Sequence, residues 1–239
     1  HAMAIMRDAS MVGRYVSVSE RQAFAVEYWP LELYKLSLAP PEAELARHVG
    51  VITGAAGGIG RSIAEALVDR GACVMVTDRE RRAVETLADT LNQRTGRRQA
   101  LGAVMDVTDE RSIARAFDAR LMAFGGLDFL VSNAGIASVA AIERMPRLMW
   151  DQSFAVNATG HFLVARTATR WLRRQGLGGT LVFIASKNVL APGKEFGAYS
   201  AAKAAETQLA RVLAIESGDV GIRVNIVNPD GVFEGSGLW

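Results

Sequence analysis

Tyr199 and Lys203, in Tyr199-Ser200-Ala201-Ala202-Lys203, stand four residues apart at the start of a segment with helical pattern, and therefore share one helix face. A phenol beside an ammonium suits proton transfer. Tyrosine titrates near ~10, and a useful base near neutrality needs a shift of about three units, or ~4 kcal/mol. An ammonium fixed about 4 Å away in a partly shielded site is worth ~4 kcal/mol before desolvation opposes it. The spacing predicts Tyr199 as the proton-transfer group, its pKa lowered by Lys203. Ser186 precedes Tyr199 across a loop containing Pro192 and Gly193 that can return the chain to one site, where a hydroxyl would donate to a substrate oxygen. Asn157, in the otherwise apolar Phe154-Ala155-Val156-Asn157-Ala158, reads either as a satisfied buried amide or as the holder of a water linking Lys203 to solvent.

A second constellation lies upstream. Thr53-Gly54-Ala55-Ala56-Gly57-Gly58-Ile59-Gly60 falls between a strand pattern and a helix pattern, the context in which a glycine-rich turn binds a dinucleotide. Gly54 permits the tight turn, Gly58 lets backbone approach a pyrophosphate, and Gly60 allows close helix packing, while the helix N-terminus offers free N–H donors. Asp78, at the end of the next strand pattern, can accept from ribose hydroxyls and would repel a 2′-phosphate, so NAD is expected rather than NADP. Its alternative role is to cap the helix that follows. Asp106 and Val107 offer a side-chain oxygen and a backbone amide to an adenine edge, although Asp in such a loop is also a turn former. Ser132-Asn133-Ala134-Gly135 brings small residues and backbone to the same region.

Positioning these groups requires a parallel sheet. From Val49 onward, short β-rich runs alternate with helical periods, the pattern of an α/β fold covered on both faces. Strands are predicted at 49–53, 72–77, 100–105, 127–132, 180–185 and 222–227. Helices are predicted at 58–70, 79–93, 109–124, 147–174 and 197–217. The first 46 residues lie outside this alternation and form an arm, 1–46, ahead of a nucleotide-binding domain at 47–239. Within the arm, Ser19 with Gln22 reads as a capping box for a helix carrying Phe24, Tyr28, Leu31 and Leu36, kinked at Pro30. Its apolar side is expected to pack on the core, a partner domain or another subunit. His1-Ala2-Met3 reads as a remnant of cloning.

Composition narrows the classes. Half of the 239 residues are apolar and the formal charge is +2, with arginine pairs interleaved with acids, so solvated helix faces are expected and no nucleic-acid partner. The lone thiol, Cys73, sits in an apolar run; the lack of a disulfide framework favours a reducing compartment, a bacterial-type cytoplasm. No apolar stretch reaches the ~18 residues of a membrane span. His48 and His161 read as isolated, so no metal is expected. Aldehyde oxidation would proceed through the hydrate, because Cys73 is poorly placed as a thiol nucleophile.

In order and spacing, the turn at 53–60, Ser132 to Gly135, Asn157, Ser186, Tyr199 and Lys203 resemble the short-chain dehydrogenase/reductase family over residues 49 to about 231. The family more often has Asn at position 132. The resemblance implies a Rossmann sheet ordered 3-2-1-4-5-6-7 and a Ser-Tyr-Lys-Asn tetrad of Ser186, Tyr199, Lys203 and Asn157. It also implies cofactor contacts that include Thr53, Ile59 and Pro229 with Tyr199 and Lys203, and homotetramers or dimers packing through the helices of Asn157 and Tyr199.

A narrower resemblance rests on 25–32, on Ser186-Lys187-Asn188 with Ala191-Pro192-Gly193, and on Asn228-Pro229-Asp230 with 234–239. These look like the dehydrogenase half of bifunctional rhamnulose-1-phosphate aldolase/alcohol dehydrogenase proteins, and Asp230 stands where the wider family has Gly. That implies an aldolase domain ahead of the arm, a small hydroxyaldehyde such as lactaldehyde as substrate, and a lid and seventh strand after Trp239. A sugar or acyl carbonyl reductase, or a dinucleotide-binding or assembly module without turnover, is the competing expectation.

Overall fold

The computed structural model describes residues 18–38, 41–118 and 123–231. The chain divides into two compact units, His1–Ala43 and Glu44–Trp239.

In the first unit, Ser19 Oγ accepts from the Gln22 amide at 3.3 Å, and the Ser19 amide donates to Gln22 Oε1 at 3.0 Å. This capping box starts α1, Glu20–Glu27. Pro30 does not kink a continuing helix as predicted. It opens a second one, α2 (Pro30–Ser37), because its missing N–H would be unbonded in the first turn anyway. The Phe24 and Tyr28 rings stack with centroids 4.4 Å apart.

The second unit is a six-stranded parallel sheet in the order β3-β2-β1-β4-β5-β6. Its strands are β1 (Val49–Thr53), β2 (Cys73–Asp78), β3 (Ala100–Val104), β4 (Phe129–Ser132), β5 (Gly179–Ile184) and β6 (Ile222–Val227). These match the predicted positions to within two residues. The connecting helices are α3 (Gly58–Asp69), α4 (Arg81–Thr95), α5 (Glu110–Ala116), α6 (Arg147–Phe154), α7 (His161–Gln175) and α8 (Gly197–Ser217). Of the helix predicted at 109–124, residues 119–122 lie outside the described residues, as do 1–3 and 234–239.

Every residue of β1 is buried, as a strand covered on both sides requires. Alternation sends Val49 and Val51 to one core with Met75, Leu130, Val164, Leu172 and Phe183. Ile52 goes to the other with Val74, Val76, Val84, Leu91 and Val131. Each fully buried Val, Leu or Ile contributes roughly 1.5–3 kcal/mol, so the rigid sheet edge that carries the site is stabilised from both faces. Cys73 is half-buried on the rim of the first core, and burial pushes its thiol up from the ordinary value, the opposite of activation.

The predicted long helix at 147–174 is interrupted. α6 and α7 are joined by a wider π turn at Ala155–Gly160 that contains Asn157. A π turn inserts one extra residue and re-aims side chains, which residue-type periodicity does not register.

Candidate active site

β1 ends at Thr53 and the chain turns through glycines with positive φ, +62° at Gly54 and +53° at Gly58. Neighbours brace the turn. Thr53 Oγ1 accepts from the Asn133 and Ala134 amides at 2.9 and 3.0 Å, and Asn133 Nδ2 donates to the Thr53 and Gly54 carbonyls, both at 3.0 Å. The Asn133 side chain is thus occupied in holding the turn. Gly60 is buried beneath it, where a Cβ would come within 2.3 Å of the Gly54 carbonyl oxygen. Gly57 differs: nothing lies within 4 Å of where its Cβ would stand. It is the N-cap of α3, so the first amides of the helix receive no side-chain cap, and the space beside Gly57 is open.

That space is a cleft of about 570 Å³ along the carboxyl ends of the strands, lined by Gly54, Gly57, Gly58, Ile59, Asp78, Asn133, Gly135, Ile184, Tyr199 and Lys203, among others. Asp78 closes one side. Its Oδ1 accepts from the Arg79 amide at 2.7 Å and its Oδ2 from the Ala56 amide at 3.3 Å, while Glu80 takes the N-cap position of α4. A smaller hollow of about 120 Å³ continues past Asp78, Arg79, Asp106, Val107 and Ala134. Asp106 is a turn former here, accepting from the Thr108 amide at 2.8 Å and hydroxyl at 2.7 Å. Burial pushes its carboxyl up, but the Thr108 bonds and the Arg79 charge outweigh that and hold it below the ordinary value.

At the other end, α8 carries Tyr199 and Lys203 as its spacing required, both buried. Ser186, the last residue before a short 3₁₀ turn, accepts from the Asn188 amide at 3.2 Å and hydrogen-bonds the Tyr199 phenol. Asn157 is fully buried. Its Oδ1 accepts from the Ile136 amide at 2.9 Å, and its Nδ2 donates to the Ile136 carbonyl at 2.8 Å and Ser153 Oγ at 3.2 Å. A Cβ on Gly135 would lie 3.1 Å from Asn157 Oδ1 and 3.8 Å from Lys203 Nζ, so that glycine separates the two. Pro229 lies at the rim after β6, its carbonyl accepting from the Lys187 amide at 3.0 Å, and Lys187 pairs with Asp230.

One electrostatic expectation is overturned. Burial raises the Tyr199 pKa, the Ser186 hydrogen bond opposes that, and the negative charge of Glu206 raises it further. The Lys203 ammonium, meanwhile, is held by partners other than the phenol. Nζ donates to the Ile184 carbonyl at 2.8 Å and lies 2.8 Å from Glu206 Oε2. Burial lowers the Lys203 pKa, with Glu206 opposing.

Glu206 went unnoticed in the sequence, yet its spacing was a usable signal: residues 199, 203 and 206 follow the helical period. His161 meets the same carboxylate. Its Nδ1 is 3.3 Å from Glu206 Oε1 and 2.7 Å from Ser132 Oγ. It follows Asn157 by four residues, another helical spacing. Among the described residues no group of three or more His, Cys, Asp or Glu is arranged to hold a metal, and no helix is long and apolar enough to cross a membrane.

A parallel sheet in this order, with a glycine turn and a Tyr-Lys helix meeting at its carboxyl edge, defines a nucleotide-binding oxidoreductase fold. The chain belongs to the short chain dehydrogenase family, whose sequence pattern matches residues 48–235. Residues 1–36 match a second pattern, aldolase class II, second domain. The uncharacterized oxidoreductase YuxG of Bacillus subtilis is 44% identical over the whole chain, which spans 34% of that protein's length. D-threitol dehydrogenase of Mycolicibacterium smegmatis is 35% identical over 76% of the chain and 68% of its own length. Among solved structures, a short-chain type dehydrogenase/reductase from Mycobacterium marinum shares 36% identity with a TM-score of 0.74, covering 77% of this chain and 73% of the other. A 3-ketoacyl-(acyl-carrier-protein) reductase from Brucella melitensis complexed with NADH shares 29% identity with a TM-score of 0.74, covering 78% and 77%. Family members use a nicotinamide dinucleotide, and the open cradle over Gly57 fits one.

Proposed function

We propose that the chain is an NAD(H)-dependent dehydrogenase that interconverts an alcohol and a carbonyl, with Tyr199 as the proton-transfer group. The observation that carries this reading is the single cleft lined by Gly57 and Gly58 at one end and by Tyr199 and Lys203 at the other. The α3 amides at Gly58 and Ile59 would hold the pyrophosphate, with Gly54, Thr53 and Gly60 shaping the turn. Asp78 would hold the adenine ribose, and Asp106 and Val107 the adenine. Ala134, Gly135, Pro229, Tyr199 and Lys203 would flank the nicotinamide half, with Asn133 bracing from below. The bound nicotinamide supplies the hydride acceptor or donor.

The protein's own part is the proton. Ser186 orients the substrate oxygen by a hydrogen bond, and Tyr199 takes the hydroxyl proton in oxidation or returns it in reduction. Lys203 must supply the positive charge that makes phenolate accessible. Asn157 fixes the 136 loop and stands beside Gly135 as the anchor of a water linking Lys203 to solvent. Asp78, placed on the cleft wall, supports NAD over NADP by repelling a 2′-phosphate.

The match of residues 1–36 to a class II aldolase domain and the 34% coverage of YuxG support a parent protein in which an aldolase unit precedes this one. The substrate is then a small hydroxyaldehyde such as lactaldehyde. The similarity to D-threitol dehydrogenase supports a small polyol as the second candidate. Exposed Phe162 on α7 and Val212 and Ile215 on α8 support a homodimer or homotetramer through those helices.

Y199F decides the mechanism. Turnover of lactaldehyde or threitol with NAD should fall by at least ~100-fold, as expected for loss of a general acid or base, while NADH binding by calorimetry is retained. Full activity in Y199F refutes the assignment.

A further inference from the structure

Behind Tyr199 and Lys203 lies a row of buried polar side chains that the proposed chemistry leaves unused. Glu206 faces Lys203 Nζ at 2.8 Å and His161 Nδ1 at 3.3 Å, and His161 Nδ1 is 2.7 Å from Ser132 Oγ. None of Ser132, His161, Lys203 and Glu206 is more than 2% exposed. Burying a carboxylate costs several kcal/mol even when paired, and an apolar residue of similar volume would serve a purely structural purpose as well or better. An ammonium has three N–H donors. One is committed to the Ile184 carbonyl and one faces Glu206, while Lys203 also lines the cleft.

We propose that Glu206, backed by His161 and Ser132, is a positioning residue that fixes the Lys203 ammonium at the cleft wall and exchanges a proton with it. In that exchange the Lys203 N–H bond breaks and a Glu206 O–H bond forms, turning ammonium and carboxylate into amine and carboxylic acid; the reverse step restores them. The inference rests on the reading that Tyr199 and Lys203 carry the proton transfer.

The charged and titratable groups that face Glu206 among the described residues are Lys203 and Tyr199 on its own helix and His161 from α7; β4 contributes the uncharged Ser132. Burial pushes Glu206 up to about 7, against the pull of Lys203. Burial, and then the Lys203 charge, hold His161 well below the imidazole range, so it stays neutral as Glu206 titrates. Ionised Glu206 in turn disfavours the Tyr199 phenolate.

The test is NMR of the full chain labelled with ¹⁵N-histidine and ¹³Cζ-tyrosine, with H161Q and Y199F assigning the signals. The His161 nitrogens should show one inflection near pH 7 without becoming imidazolium. That inflection should vanish in E206Q and return in E206D, and Tyr199 should deprotonate at lower pH in E206Q than in the native chain. Infrared spectra of the native chain alone should lose a protonated-carboxyl band over the same range, a readout that needs no variant to fold. A flat His161 profile with no such band, or an unchanged Tyr199 midpoint in E206Q, overturns the proposal. So does a pH profile of kcat that E206Q leaves unmoved in a chain that turns over. The spectroscopic results do not depend on turnover, so an active Y199F, which would sink the catalytic reading, is distinguishable from failure here.

Discussion

The glycines of the 53–60 turn make separable contributions, and substituting Gly60 and Gly57 by alanine should reveal them. At Gly60 the added methyl would sit 2.3 Å from the Gly54 carbonyl oxygen, 2.6 Å from Asn133 Nδ2 and 3.0 Å from Ala55 Cα. Two of those atoms are backbone, so α3 must retreat from the turn. Overpacking of this kind costs about 1–3 kcal/mol. Displacing Asn133 also weakens its bonds to the Thr53 and Gly54 carbonyls, each worth about 1 kcal/mol. Alanine in a helix returns about 1 kcal/mol, leaving a net loss of roughly 2–4 kcal/mol from these terms. The methyl of G57A meets nothing, and an alanine N-cap costs at most about 1 kcal/mol. It would, however, add bulk in open space at a residue that lines the cleft. Urea denaturation should therefore place G60A well below the native chain and G57A close to it. Calorimetry should find NADH affinity reduced at least ~10-fold in G57A, a loss of about 1.4 kcal/mol. Native-like stability in G60A would refute the packing argument. Unchanged NADH affinity in G57A would refute the placement of the pyrophosphate.

Calorimetry should also show NADH binding more tightly than NADPH, with D78A narrowing the gap; tighter NADPH binding by the native chain would contradict the role given to Asp78. N157L leaves the Ile136 amide and carbonyl without their partners, and should lower the urea midpoint by the equivalent of about 2–4 kcal/mol. The folded pKa of Glu206 lies above its unfolded value, so the folded state holds that proton longer. Its contribution is fully present below about 4.5 and is lost as pH rises through about 7. Between pH 5 and 8 the unfolding free energy of the native chain should fall relative to that of E206Q, buried neutral His161 acting in the opposite sense in both; parallel curves would count against the shift.

Much of the frame was legible because it depends on local pattern. Apolar runs of strand length alternating with helical periods gave six strands within two residues of their observed positions. The 199/203 spacing placed both side chains on one helix wherever that helix packed. The π turn was invisible, since an added backbone residue leaves the amino-acid types around Asn157 unchanged. The division at Pro30 was visible but misjudged, because the same residue kinks a helix interior and starts a helix at its first position. Glu206 shares the face of Lys203 and could have been named from its spacing.

The sequence by itself determined the order of elements, the glycine turn and the pairing of a phenol with an ammonium, all set by neighbours along the chain. Only the tertiary structure decided the electrostatics. The charge around Lys203 is fixed by the Ile184 carbonyl and by Glu206, which itself meets His161 and Ser132 from other elements. Desolvation, which depends on everything packed around a group, turned the Tyr199 shift opposite to the pairwise expectation. Coulomb's law between two residues can be written from a sequence; the dielectric and the competing partner require the fold.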